Sequence, residues 1–206
     1  MKIVCLGDST TYGMGVLRRE CWSALAARET GHTLVNRGIC GDTAGGMLAR
    51  FERDVLQQNP DVAILMGGGN DIVATGTDLT ARASLFAMLQ QSAAAGIQPI
   101  LGTPLPFDAK KINPEWAELT DFSAAAQVCR GYAAWIRRLG AVFHVPVADF
   151  YGLFESLPGV PGDWYMDGLH PGPEGHKKMA ALIVPMLTDI QMRHSADEGR
   201  AGYHCE

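Results

Sequence analysis

At 206 residues the chain fits a single domain, since domains run to roughly 100–200 residues and a chain of this length can bury one large core. With 47% hydrophobic and 19% charged residues it reads as a soluble globular protein, and a net charge of −5 excludes the basic footprint expected of a nucleic-acid or anionic-lipid binder. A small-molecule partner is expected instead.

The first strand is expected over residues 2–6, where Ile3-Val4-Cys5-Leu6 leads into the turn Gly7-Asp8-Ser9-Thr10. One lysine and four apolar residues before that turn are too few for the apolar centre of a signal peptide, so a cytoplasmic location is expected. Glu20 to Glu29 reads as a helix closed by Gly31, Thr33 to Asn36 as the second strand, and Gly38 to Gly41 as a loop. Met47, Leu48, Phe51 and Val55 recur at helical spacing, with Arg50, Glu52, Arg53 and Asp54 filling the other faces of an amphipathic helix that stops at Asn59-Pro60. Asp61 to Met66, apolar on both faces, predicts a central parallel strand, broken by Gly67-Gly68-Gly69-Asn70-Asp71.

A helix follows from about Thr80 to Ala95, then a fourth strand from Ile97 to Gly102. Thr103-Pro104-Leu105-Pro106-Phe107 leaves the sheet as a stiff apolar loop, because each proline fixes its own φ. Asn113-Pro114 reads as a helix start, and Phe122, Ala126, Cys129, Ala133 and Ile136 carry a helical stripe to Gly140. A fifth strand is expected near Val145 to Phe150, and Pro158 to Pro173 reads as irregular loop. The last helix begins near Glu174; Pro185 inside it predicts a kink or an early end, and the segment is too short for membrane insertion. One domain over residues 1–193 with a frayed tail over 194–206 follows. Strands alternating with helices imply an α/β fold with a five-stranded parallel sheet.

That topology gathers the unusual residues. Ser9 follows strand one, Gly41 strand two and Asn70 strand three, while Asp167 and His170 precede the last helix, all at the carboxyl edge where open α/β sheets hold ligands. Taken singly, Gly-Asp-Ser is ordinary turn material and Asp-x-x-His an ordinary helix cap. Together they supply what acyl transfer needs. A serine hydroxyl is a weak nucleophile until an imidazole takes its proton, and a carboxylate must hold that imidazole in the right tautomer. The backbone N–H groups of Ser9 and Gly41 and the Asn70 amide can face the oxygen that becomes negative, glycine at 41 permitting close backbone approach.

The five cysteines, Cys5, Cys21, Cys40, Cys129 and Cys205, show no Cys-x-x-Cys spacing and read as reduced thiols. No metal or cofactor is called for. His32, His144, His176, His194 and His204 lack a partner of the Asp167-x-x-His170 kind and read as structural or surface residues.

Gly7-Asp8-Ser9, Asn36-x-Gly38-x-x-Gly41-Asp42-Thr43, Gly68-Gly69-Asn70-Asp71 and Asp167-x-x-His170 occur in that order across almost the whole chain. In these four blocks the chain resembles the SGNH hydrolases, also called the GDSL esterase/lipase family. Thr10 stands where the family name has leucine, and Gly67 lengthens the glycine run. The resemblance implies a three-layer α/β/α flavodoxin-like fold, with Ser9 as nucleophile, His170 as general base, Asp167 as its partner, and Ser9, Gly41 and Asn70 as the oxyanion hole. It covers lysophospholipases, thioesterases, arylesterases and carbohydrate deacetylases. Leu105, Phe107, Trp116, Trp164 and Tyr165 are the candidate pocket walls and lean towards an acyl chain, although aromatic residues also stack on sugars; a short-chain or lipid-type ester comes first and a sugar O-acetyl group second. The remaining alternatives are a non-catalytic binding domain of the same fold and a thiol enzyme using Cys40.

Overall fold

The computed structural model describes residues 1–158 and 164–201. Among them, β1 (Lys2–Gly7), β2 (Thr33–Gly38), β3 (Val62–Met66), β4 (Gln98–Gly102) and β5 (Val147–Ala148) form one parallel sheet in the order β2-β1-β3-β4-β5. The register sets their carboxyl ends level: Gly7 pairs with Gly38 and Met66, Met66 with Gly102, and Gly102 with Ala148. The order reverses between β1 and β3, so the loops leaving these two strands diverge and open a crevice.

Helices cover both faces: α1 (Ser9–Tyr12), α2 (Trp22–Thr30), α3 (Ala44–Ala49), α4 (Phe51–Asp54), α5 (Gly69–Thr75), α6 (Leu79–Ala94), α7 (Pro114–Ala117), α8 (Phe122–Phe143), α9 (Phe150–Ser156) and α10 (Pro173–Ala201). Because strand side chains alternate, Val4, Leu6, Ala63, Leu65 and Leu101 pack under α3, α6 and α8. Ile3, Cys5, Val62, Ile64 and Ile100 pack under α2 and α10 on the other face. Burying each such aliphatic side chain contributes about 1.5–3 kcal/mol, so two cores share one sheet and the three-layer α/β/α expectation holds.

Several elements depart from expectation. The stripe over residues 47–55 is two helices joined at Arg50, whose φ of −106° and ψ of 6° break the spiral. The Asn113-Pro114 start opens only the four-residue α7; Asp121 then accepts from the N–H groups of Ser123 and Ala124 and starts a separate α8. This helix passes Gly140 and closes at His144, whose φ is +54°. The fifth strand is only two residues long, because Asp149 accepts from Gly152 N–H and turns Phe150 into the start of α9. Finally, α10 runs through Pro185 to Ala201, so the backbone is helical over 194–201, where the sequence reading expects a frayed tail. Part of the expected 158–173 loop and residues 202–206 lie outside the described residues.

Candidate active site

β1 ends in Gly7 because nothing larger fits: a Cβ there would lie 2.2 Å from Thr11 Oγ1 and 2.5 Å from the Met66 carbonyl. The chain then turns at once into α1. Asp8 caps it, accepting from Thr10 N–H at 2.9 Å, and Ser9 occupies the first helical position. Gly13, at φ +84°, ends the helix after one turn.

At the far end of the chain, Asp167 closes its own turn by accepting from the N–H groups of Leu169 and His170 at 3.0 and 2.8 Å. Gly168 supplies the required φ of +85°, and Met166 N–H donates to the His170 carbonyl at 2.9 Å. This turn precedes α10 rather than capping it, and it aims the imidazole inward. Asp167 Oδ2 is 2.7 Å from His170 Nδ1, and His170 Nε2 is 2.9 Å from Ser9 Oγ. A proton held on Nδ1 by the carboxylate leaves the Nε2 lone pair facing the hydroxyl. Burial raises the Asp167 carboxyl, but the hydrogen bonds from His170 and Leu169 outweigh it and hold it below the ordinary carboxylate value. His170 is only 5% exposed, whereas the Asp167 side chain keeps 42% of its surface in solvent.

Ser9, Gly41 and Asn70 line one cavity of about 300 Å³ together with His170. Asn70 Nδ2 donates one proton to the Asp42 carbonyl at 2.8 Å, which leaves its second N–H free of that bond. Gly41 has a φ of +77°, and a Cβ there would meet nothing within 4 Å. Glycine at 41 is favoured by this backbone conformation. The adjacent Asp71 turns inward and accepts from Ala44 N–H at 2.8 Å, fixing α3 to α5; burial raises its carboxyl.

Of the five candidate wall residues, Leu105, Phe107 and Trp116 line the cavity. Trp164 and Tyr165 do not. Tyr165 is buried behind the loop, donates to the Pro106 carbonyl at 2.7 Å and packs on Phe154. Trp164 donates from Nε1 to the Pro158 carbonyl. Met14, Met66, Val73 and Leu169 complete the apolar wall. Of these, Leu169 was findable, since it lies inside Asp167-x-x-His170; Val73 was not, because its place follows from a short helix that periodicity does not show.

Cys40 is exposed at the cavity, and burial followed by the nearby Asp8 raises its thiol, which disfavours a thiolate. His176 is buried, and its Nδ1 accepts from Trp22 N–H at 3.2 Å; His32 is buried as well. The side chain of His194 and all of His204 and Cys205 lie outside the described residues. Among the described residues no group of His, Cys, Asp or Glu side chains is arranged to hold a metal, and no helix is long and apolar enough to cross a membrane.

A serine–imidazole–carboxylate series on the level edge of a parallel α/β sheet is the arrangement of one class: a serine hydrolase. Sequence comparison narrows it, for residues 5–178 match the GDSL-like Lipase/Acylhydrolase family. The chain is 36% identical over 195 residues to the arylesterase of Vibrio mimicus, covering 90% of this chain and 88% of that protein. It is 26% identical over 195 residues to esterase TesA of Pseudomonas aeruginosa, covering 91% and 88%. The crystal structure of the lipase/acylhydrolase from Enterococcus faecalis superposes with a TM-score of 0.74 at 26% identity, over 90% of this chain and 94% of that one. The chain belongs to the GDSL-like Lipase/Acylhydrolase family and is a serine hydrolase acting on esters.

Proposed function

We propose that the protein cleaves acyl or aryl carboxylic esters through an acyl-enzyme on Ser9, and the observation that carries this reading is the 2.9 Å approach of His170 Nε2 to Ser9 Oγ. Ser9 Oγ attacks the ester carbonyl as His170 takes its proton, and the carbonyl oxygen becomes the oxyanion. The Ser9 and Gly41 N–H groups and the free Asn70 N–H stabilise that charge. Collapse of the intermediate breaks the ester C–O bond, and the proton on His170 passes to the departing alcohol. Water then adds to the acyl carbonyl as His170 takes its proton; the acyl–Oγ bond breaks, Ser9 Oγ regains the proton from His170, and the acid leaves. Asp167 holds the imidazole throughout and balances its charge.

The acyl preference rests on the wall formed by Met66, Val73, Leu105, Phe107 and Trp116, which has no charged member. The two relatives above are likewise an esterase and an arylesterase. The domain is proposed to act by itself over residues 1–193. A cytoplasmic site of action is proposed on the free thiols of Cys5, Cys21 and Cys129, all buried and unpaired.

A fluorophosphonate probe tests the chemistry. One adduct on Ser9 is expected, and Ser9→Ala should lose it together with about 10³-fold or more of turnover. Folded Ser9→Ala with full activity overturns the reading. An ester series of increasing chain length run beside acetylated sugars tests the substrate class; faster turnover of the sugars would sink the acyl preference.

A further inference from the structure

The helical stripe that places Arg50 on a solvated face is misleading, because the side chain is only 10% exposed. It sits at the joint between α3 and α4 and turns back under the carboxyl edge of the sheet. Its Nη2 donates to the Gly7 carbonyl at 3.0 Å and lies 2.7 Å from Asp42 Oδ2. Nη1 donates to the Arg37 carbonyl and to Asp54 Oδ2, both at 2.8 Å, and Nε donates to Asp42 Oδ2 at 2.8 Å. A guanidinium has five N–H donors in a fixed plane, and four of them make hydrogen bonds here while Nη2 also ion-pairs with Asp42.

These partners are not scattered. The Gly7 carbonyl lies two residues before Ser9, and Asp42 immediately follows Gly41. The Asp42 backbone carbonyl in turn accepts the Asn70 amide at 2.8 Å. All three proposed oxyanion donors, which follow three different strands, are thus tied to one buried cation. Asp42 and Asp54 offset its charge, and Arg53 pairs with Asp54 from the outside.

We infer that Arg50 is a positioning residue that sets the mutual geometry of the three oxyanion donors without touching substrate. The inference rests on the esterase reading above. Preorganised donors act only if they already point where charge will develop, so loosening their common anchor affects the transition state more than the bound ester. Lysine at 50 keeps the charge, but its donors lie on a single atom that cannot span Gly7, Arg37 and Asp42.

The test compares the full-length wild type with Arg50→Lys and Asp54→Asn, each checked for folding by a thermal melt. Four quantities are read: kcat and KM on a p-nitrophenyl ester, affinity for an alkyl boronic acid that adds to serine as a tetrahedral anion, and affinity for the matching carboxamide. In Arg50→Lys, kcat and boronate affinity should fall together by about 10- to 100-fold, while KM and carboxamide affinity stay within about twofold. Asp54→Asn, which touches Arg50 but not the Gly41–Asp42 loop, should keep kcat within about twofold even if its melting temperature drops.

Unchanged boronate affinity in folded Arg50→Lys overturns the inference, as does an Asp54→Asn variant that loses kcat in step with stability. If Arg50→Lys does not fold, Asp42→Asn should show the same coupled fall at a smaller factor, and its absence is equally fatal. A wild type that takes neither fluorophosphonate nor boronate defeats the esterase reading itself. A labelled wild type with an unaffected Arg50→Lys defeats only the role of Arg50.

Discussion

Asp8 stands beside Ser9 in sequence, yet its carboxylate serves the backbone of α1. Burial pushes its carboxyl up to about 6 from 3.8, against the opposing pull of the Thr10 N–H and His170. Between these values the folded chain holds a proton that the unfolded chain has released. Stability therefore falls as pH rises through the window, by about 3 kcal/mol at most, given about 1.4 kcal/mol per pH unit. Asp8→Asn keeps a capping acceptor and removes the charge. Its urea midpoint should exceed that of the wild type at pH 7.5 and the gain should vanish below about pH 4; an equal gain at both would count against a buried carboxylate. Ser9, Asp167 and His170 were legible in sequence because each stands in a short motif whose chemistry is local. Arg50 was not legible: periodicity assigns a face to a residue within a helix, and Arg50 lies where one helix ends and another begins.

Among elements, α1 meets the end of β2 closely. Asn36 donates to the Thr11 carbonyl at 2.6 Å and accepts from Gly38 N–H at 2.9 Å, while a Cβ on Gly38 would lie 2.1 Å from Tyr12 N. Gly38→Ala must push α1, and Ser9 with it, away from His170. A stability loss of about 1–3 kcal/mol is expected, with a fall in kcat that exceeds the unfolded fraction. Gly41→Ala meets no atom and pays only for its positive φ, about 1–2 kcal/mol, so its melt should shift less sharply if strain is local. Thermal melts beside kcat on the same samples separate the two. The long strands and α6 were readable because their apolar residues repeat; α1, α5 and α9 were not, being seven residues or fewer and defined by caps rather than by a stripe.

For the molecule as a whole, two buried titrating groups pull stability in opposite directions. His176 links α10 to α2, and burial lowers it from 6.5 to about 4. There the unfolded chain binds a proton that the folded chain refuses, so this contribution is complete above about pH 6.5 and is lost as pH falls, again by about 3 kcal/mol. Asp8 slopes the other way between about pH 4 and 6, and Asp71, raised by burial, adds to it. Asp54, lowered to about 2 chiefly by the hydrogen bond from Arg53, contributes stability that is lost only below about pH 4, outside the window. His176→Gln should therefore turn a shallow dependence into a stability that declines from pH 4 to 6. Urea midpoints at pH 4, 5, 6 and 7 measure it, and an unchanged slope would dismiss His176 as a titrating group. The parallel sheet was visible in the sequence because β3 is apolar on both faces, whereas the reach of α10 past Pro185 was not, since a lone proline usually ends a helix.

The bond between Ser9 and His170 joins residues 161 positions apart. On the ribosome the Ser9 hydroxyl is therefore made 161 residues before the imidazole that faces it. A nascent chain carries the hydroxyl through the synthesis of every strand without being able to use it. The pair forms only when the turn at Asp167 meets the carboxyl edge of the sheet.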